Sequence, residues 1–299
     1  MKGRAIVIVG GDSVIGRQLS VECAASGVSV MASTRRTEGV GAGRFLLDLT
    51  APRPDEYLPQ TGGPVIIAAA MTGYDACQND PLSAVVNVEA PVLLARAALG
   101  AGRRVIFLST SSVFNGDLPF PGEDDELTPH AAYSMQKAEA ERRLSALPGW
   151  LSNGAIVRLT KALSPSTSPI PGWRERLGRG ETITPFSDLT FAPISLQFAV
   201  SALIQITLSA HCGIFHLSGA ADVTYAQFAR RYAQALGPGA DIVEPTTSAQ
   251  AGVKLLFNPR HSALGTARTQ RLTGIAPQSL DGVVEDLLQA EQNANGHLF

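Results

Sequence analysis

Through the first half of the chain, short continuously apolar runs alternate with longer segments whose apolar positions recur at helical spacing. The runs at residues 5–9, 28–32, 45–49, 65–69, 105–108 and 155–159 are mostly rich in β-branched residues and mostly lack in/out alternation. Such runs predict parallel strands covered on both faces. Helical patterns at about residues 14–26, 82–99 and 131–147 lie between them. Strand and helix in alternation imply right-handed βαβ units, and so a Rossmann-type, doubly wound α/β sheet.

The pattern changes at residues 164–185, where SPSTSPIPGW is rich in Pro and Ser and reads as a loop leaving the sheet. Short helices are expected near 173–177 and over 196–208, a strand over 213–217, and helices over 225–236 and 280–289. The division expected is a nucleotide-binding domain over residues 1–160 and a smaller, mainly substrate-binding part over 161–299, some of whose segments return to the first.

Composition fits a globular protein: 45% of residues are apolar and 17% charged in a chain of 299. That length supports one large or two ordinary domains. A net charge of −2 leaves no electrostatic footprint for nucleic acid or an anionic membrane. Cys23, Cys77 and Cys212 are odd in number and lack metal-ligand spacing, so no metal site is expected and the thiols read as reduced. The first apolar run is too short for a signal peptide, and no later run is uninterrupted over a membrane-spanning length, so a cytoplasmic location is expected.

The first candidate chemistry lies in AIVIVGGDSVIGRQLS, which runs strand, tight turn, helix. Gly10 sits where the strand ends, and Gly16 lies in the first turns of the helix, where it lets helix and sheet approach closely. Between them, Asp12, Ser13, Val14 and Ile15 surround a helix N-terminus whose N–H groups suit a pyrophosphate. Ser13 stands where glycine is common; it is small and can donate a hydrogen bond of its own.

The end of the second strand reads the 2′ position of a bound dinucleotide, and an acid there favours NAD(H). This chain has Thr34, Arg35 and Arg36 instead, with no acid before Glu38. Guanidinium groups pair with a 2′-phosphate, so NADP(H) is favoured over NAD(H).

A second group of residues follows the fifth run. Hydroxyls from Ser109 to Ser112 stand at a strand's carboxyl end, where open parallel sheets bind ligands. Some twenty residues on, HAAYSMQKAEAERRL carries Tyr133 and Lys137 four apart, on one helical face. An ammonium beside a phenol favours the phenolate and lowers its pKa, which suits proton transfer to a carbonyl oxygen.

The order of these features resembles the extended short-chain dehydrogenase/reductase family, and more closely its dTDP-4-dehydrorhamnose reductase-like branch. GGDSVIGRQL, NDPLSAVVNVEAPVLLARAAL, STSSVFNG, YSMQK, GIFHLSG with TYAQFAR, and PRHSALGTARTQRLTGI carry the likeness over almost the whole chain. The resemblance implies a catalytic set of Thr110, Tyr133 and Lys137, with Ser111 as the alternative hydroxyl. It implies that Asp48, with Leu49, borders the adenine, that Ala68, Ala69 and Ala70 lie along the cofactor, and that Asn87 is a structural asparagine. A nucleotide sugar is the implied substrate, with Arg158, Arg174 and Arg260 as candidates for its phosphates. A homodimer is one option for assembly. The chain departs from the branch at Ser111-Ser112, which replace an acidic-aromatic pair, and follows it only loosely through FSDLTFAPISLQFA.

Two other readings stay open on these residues. One is a nucleotide-sugar epimerase or dehydratase, and the other a non-catalytic NADP-binding regulator on the same fold. His130 reads as a helix-start loop residue and the run from Glu123 to Glu126 as a solvated loop. Trp150 and Trp173 are assigned to neither core nor ligand.

Overall fold

The computed structural model describes residues 5–237, 239–253 and 258–296. Its centre is a seven-stranded parallel sheet in the order β10-β6-β5-β4-β1-β2-β3. The strands are β1 (Ile6–Val9), β2 (Val30–Thr34), β3 (Arg44–Leu46), β4 (Val65–Ile67), β5 (Val105–Thr110), β6 (Gly154–Leu159) and β10 (Gly213–Leu217). The order reverses between β1 and β4, which opens a crevice at the strands' carboxyl ends. The inner strands are buried along nearly their whole length, which is why their sequences are continuously apolar.

Helices cover both faces. On one side lie α1 (Val14–Ala25) and α8 (Leu196–Leu208), packed on Ile8, Ile106 and Val157. On the other lie α2 (Tyr74–Asn79), α3 (Leu82–Ala84), α4 (Ala90–Gly100), α5 (Ala132–Ser145) and α6 (Trp150–Asn153). Trp150, left unassigned by sequence, joins the core on this side with Phe107 and Leu144. A π-helical turn, Val85–Glu89, joins α3 to α4. Together they make a helix, Leu82–Gly100, long and apolar enough to cross a membrane by length and composition. Its apolar side chains Val88, Leu94, Ala95 and Ala98 instead pack on the sheet, each large one contributing about 1.5–3 kcal/mol by burial.

The remaining elements form a smaller lobe. It contains β7 (Lys161–Leu163), parallel to β9 (Pro193–Ser195), and β8 (Thr190–Phe191), antiparallel to β11 (Val223–Thr224). Around these strands stand α7 (Ile170–Gly178), α9 (Tyr225–Leu236) and α11 (Leu280–Gly296), while α10 (Ala267–Thr273) lies against β10. Trp173, Phe191, Phe228 and Tyr232 fill its core. The helices α8 and α9 and the strand β10 run over the residues their patterns predict. The short strands have no signal in the sequence, because a run of two or three residues carries no period, and the seven residues of α10 span only about two helical turns.

A buried polar cluster ties the sheet to the loops above it. Arg158 on β6 is 2% exposed and pairs with Glu141 of α5, 3% exposed, Nη2 to Oε2 at 2.8 Å. Its Nη1 donates to the Glu123 carbonyl at 3.3 Å and lies 3.2 Å from His216 Nε2. Burial and the neighbouring Arg158 push the His216 pKa down to about 3, so the ring is neutral. With Nδ1 on the Gly265 carbonyl at 2.7 Å, Nε2 is left as the acceptor for Arg158. The Glu123 side chain accepts from Thr269 N at 3.1 Å. Two expectations are thereby corrected. Arg158 is an internal strut with its donors spent, not a ligand for a substrate phosphate, and Glu123 is a buried anchor rather than part of a solvated loop.

Removing one member of this pair strands the other's charge in the interior. Glu141→Ala should cost about 3–5 kcal/mol in urea unfolding, whereas Glu141→Leu with Arg158→Met should recover most of that loss. Equal losses in the single and double variants would show that the stranded charge is not the cause.

Candidate active site

The turn after β1 is shaped by the absence of side chains. Gly10 has φ +96°, and a Cβ there would lie 2.6 Å from Ala69 N. A Cβ on Gly16 would lie 2.1 Å from the Gly10 carbonyl oxygen, and one on Gly11 would lie 2.7 Å from Ala32 Cβ. The turn therefore sits directly on β2 and β4, and the N-terminus of α1 faces the crevice. Gly11, which the spacing of the glycine pattern leaves out, is under the same constraint as its neighbours.

Ser13 caps α1: its hydroxyl accepts from Gly16 N at 3.0 Å and donates to the Gly10 carbonyl at 2.7 Å. The expected extra donor is thus spent inside the turn. Val14 and Ile15 keep the N–H groups that a helix's first turn cannot pair internally. From β2, Ser33 Oγ accepts from Gly10 N at 2.8 Å, a brace with no sequence signal.

A cleft of about 390 Å³ runs from this turn across the ends of β2, β3 and β4. Gly10, Asp12, Ser13, Thr34, Arg35, Asp48, Leu49, Ala69 and Ala70, all expected at a cofactor site, line it. Ala68 sits just inside it at the end of β4, and Arg36 is exposed beside it. The Asp48 carboxylate accepts from Thr50 N at 2.9 Å and Thr50 Oγ1 at 2.8 Å, which holds its pKa below the usual range. Asp12 reaches away from the turn to the end of β2, where its Oδ2 accepts from Thr34 Oγ1 at 2.8 Å and its Oδ1 pairs with Arg44 Nη2. Partial burial works against that charge, but the bonds from Thr34 and Arg44 outweigh it and lower its pKa.

Asn87 is fully buried at the π-helical turn. Its Oδ1 accepts from Met71 N at 2.8 Å, and its Nδ2 donates to the Met71 carbonyl at 2.9 Å and to Gln136 Oε1 at 2.7 Å. Gln136 in turn donates to Ser83 Oγ at 2.8 Å. This network clamps the loop after β4 onto α5, so Asn87 acts by fixing the cleft wall. Gln136, between Tyr133 and Lys137, belongs to the same clamp and was not singled out by sequence.

At the end of β5, Thr110 Oγ1 lies 3.1 Å from Ser112 Oγ, which accepts from Ser134 Oγ at 2.9 Å. This line of hydroxyls joins the strand end to the first turn of α5, next to Tyr133. Tyr74 lines the Thr110 cleft and meets the Tyr133 ring edge-on, with centroids 6.1 Å apart. Lys137 is buried one turn on, but its Nζ donates to the Leu108 carbonyl at 2.5 Å and lies 3.7 Å over the Phe107 ring. Burial lowers its pKa to about 7, against the raising influence of Glu141. The Tyr133 phenol is pushed up by burial, with Tyr74 and Cys77 adding to the shift. The expectation that Lys137 lowers the tyrosine pKa is therefore corrected for this state: the amine is turned onto the strand, and desolvation governs the phenol.

The cleft beside Thr110 is lined by Ser111, Ser112, Thr160, Lys161, Phe191, Pro259 and His261, so both lobes contribute. His261 Nδ1 lies 3.1 Å from Asp222 Oδ2. Lys161 Nζ donates to Tyr225 OH at 2.5 Å at the cleft mouth, a cation that the sequence reading did not select. Arg260 is exposed between two lining residues. Arg174 is corrected: it lies on α7 against Glu291, Nε to Oε2 at 3.4 Å, and does not line this cleft. Trp173 is in the lobe core.

Residues 4–293 match the family described as RmlD substrate binding domain. The chain is 29% identical over 289 residues to a dTDP-4-dehydrorhamnose reductase of Mycobacterium tuberculosis, covering 93% of this chain and 90% of that one. It is 27% identical over 280 residues to the enzyme of the same name from Streptomyces griseus, covering 91% and 88%. Among solved structures, dTDP-4-dehydrorhamnose reductase of Bacillus anthracis in complex with NADP superposes with a TM-score of 0.81 at 19% identity, covering 96% of this chain and 99% of that one. MoeE5 in complex with UDP-glucuronic acid and NAD gives 0.76 at 19% identity, covering 97% and 99%. The chain belongs to the RmlD substrate binding domain family, the dTDP-4-dehydrorhamnose reductase-like branch of the extended short-chain dehydrogenase/reductases, which are NAD(P)-dependent oxidoreductases.

Proposed function

We propose that this protein is an NADP(H)-dependent reductase of a keto-sugar nucleotide, with Tyr133, Thr110 and Lys137 at the reacting centre. The observation that carries the reading is the hydroxyl line from Thr110 through Ser112 to Ser134, which joins the end of β5 to the helix of Tyr133 at a cleft shared by both lobes. Residues 1–160 hold the cofactor in this reading, and residues 161–299 chiefly select the substrate.

The cofactor cleft fits a dinucleotide on its own geometry. Glycines leave no side chain over the first turn of α1, and the Val14 and Ile15 amides stand ready for a diphosphate. Arg35 on the cleft wall and the neighbouring Arg36 suit a 2′-phosphate. When bound, the reduced nicotinamide supplies the hydride. Reduction of a ketone also adds a proton to the oxygen, and the raised pKa of Tyr133 keeps that proton on the phenol at neutral pH. Thr110 Oγ1 donates to the same oxygen as charge develops there. Lys137, brought near pH 7 by burial, can exchange a proton in the working range once released from Leu108.

Support for a nucleotide-sugar substrate comes from the relatives' names and from the cations at the cleft mouth. Lys161 lines the cleft and Arg260 is exposed beside it, and both carry the charge that a diphosphate would need. An epimerase or dehydratase would leave the NADPH pool unchanged over turnover. Net NADPH oxidation against a panel of keto-sugar nucleotides therefore tests the reading, and silence across the panel with tight NADPH binding would favour a regulator.

Tyr133→Phe should lower kcat/KM by at least ~10²-fold while leaving the NADPH Kd within about threefold. Wild-type turnover in that variant would exclude Tyr133 as the proton donor. Lys161→Met should raise KM for the nucleotide sugar by about 10- to 100-fold, the loss of one charge-assisted hydrogen bond, with kcat and NADPH binding little changed. An unchanged KM in steady-state kinetics would remove Lys161 from the substrate site.

A further inference from the structure

The end of β2 has no acidic side chain of its own, yet a carboxylate is present there. It comes from the Gly-rich turn. Asp12 crosses to Thr34, whose hydroxyl donates to Oδ2 at 2.8 Å, and the neighbouring Arg35 backbone N–H adds to the lowering of its pKa. Its main chain is fixed from the other side, because Arg17 Nη1 donates to the Asp12 carbonyl at 2.8 Å. Oδ1 pairs with Arg44, the first residue of β3, whose side chain is 38% exposed and whose Nε is buried without a partner among the described residues. Thr34 is buried and the Asp12 side chain, 37% exposed, lines the cleft, so the carboxylate stands at its wall within reach of a ligand.

We propose that Asp12 is the residue that reads the 2′ position of the dinucleotide, and that its pairing with Arg44 sets the balance between NADH and NADPH. The inference rests on the reading of this cleft as a dinucleotide site and concerns how that site discriminates. A carboxylate offers about four lone-pair positions, and the side chains of Thr34 and Arg44 take one on each oxygen, leaving room for a ribose 2′-hydroxyl. A 2′-phosphate, with a charge of roughly −1.5 to −2, is repelled by the same carboxylate. Arg44 offsets that repulsion by neutralising Asp12, and its guanidinium is a cation that a phosphate could draw away from Asp12. Arg35 and Arg36 favour the phosphate, Asp12 opposes it, and Arg44 decides how strongly Asp12 is felt. Both cofactors are therefore admitted by the wild-type site, with a modest preference.

The two directions are separable by charge. Asp12→Asn keeps the shape and the acceptor for Thr34 but frees Arg44, so the ratio of NADH to NADPH dissociation constants should rise about tenfold or more. Arg44→Met leaves the carboxylate uncompensated, so NADPH binding should weaken about tenfold while NADH changes less than about threefold. Titration of intact protein with each reduced dinucleotide, followed by nicotinamide fluorescence, gives both constants. The ratio is read on one protein sample, so a variant with a fraction of unfolded chain loses signal for both cofactors equally and leaves the ratio unmoved. Ratios within twofold of wild type in both variants would overturn the proposal while leaving the dinucleotide site intact. Absence of binding by the wild-type protein to either dinucleotide would overturn the underlying reading as well.

Discussion

The backbone of α1 passes so close to the end of β1 that nothing larger than a hydrogen fits on Gly16 against the Gly10 carbonyl. This approach aims the first turn of α1 at the crevice, and the Ser13 cap and the Ser33 brace lock it there. The rest of the cofactor cleft is built outward from that point. Ala69, just after β4, lies against Gly10 and has room only for a small side chain, and Asp12 reaches Thr34 only because the turn is seated on β2. A bulky side chain at Gly10 or Gly16 would lift the helix and dismantle the wall, whatever happened to the polar groups.

The polar groups on the other side of the site obey a different economy. Arg158, Glu141 and His216 are almost wholly removed from water, so each has to find a partner inside the protein. Their pairing joins β6, α5, β10 and the loop around Glu123 into one unit, on which the Thr110 strand end and the Tyr133 helix are carried. Stability and site geometry are thus linked through α5: Glu141 holds its buried face, while Ser134 and Gln136 connect its first turns to the site.

Tyr133 and Lys137 illustrate how burial controls chemistry. Desolvation raises the phenol and lowers the amine to about 7, so the phenol keeps its proton while the amine is divided between its two forms near neutral pH. The proposed reduction needs a proton on the phenol, and this state retains it. The amine rests on Leu108, inside a low-dielectric pocket over Phe107, where it is held close to the site without a full charge being trapped.

Much of this was legible in the chain. Short, β-branched apolar runs alternating with helical patterns point to strands buried on both faces, and glycines at a strand-to-helix junction point to close backbone approach, so the doubly wound sheet and its Gly-rich turn follow from local pattern. The Tyr133–Lys137 spacing and the hydroxyls after the fifth run were visible too, and the choice of Thr110 among those hydroxyls came from the family resemblance. What local pattern does not carry is the partner of a charged side chain. Arg158 and Arg174 resemble phosphate ligands in sequence, but Arg158 is consumed by Glu141 and Arg174 by Glu291, carboxylates 17 and 117 residues away along the chain. Asp12 is the converse case: it belongs to the first turn by sequence, and folding delivers its charge to the end of the second strand. Periodicity reports which face of an element is dry, because burial acts on each residue singly. Pairing depends on two residues meeting, and only the tertiary structure decides which two.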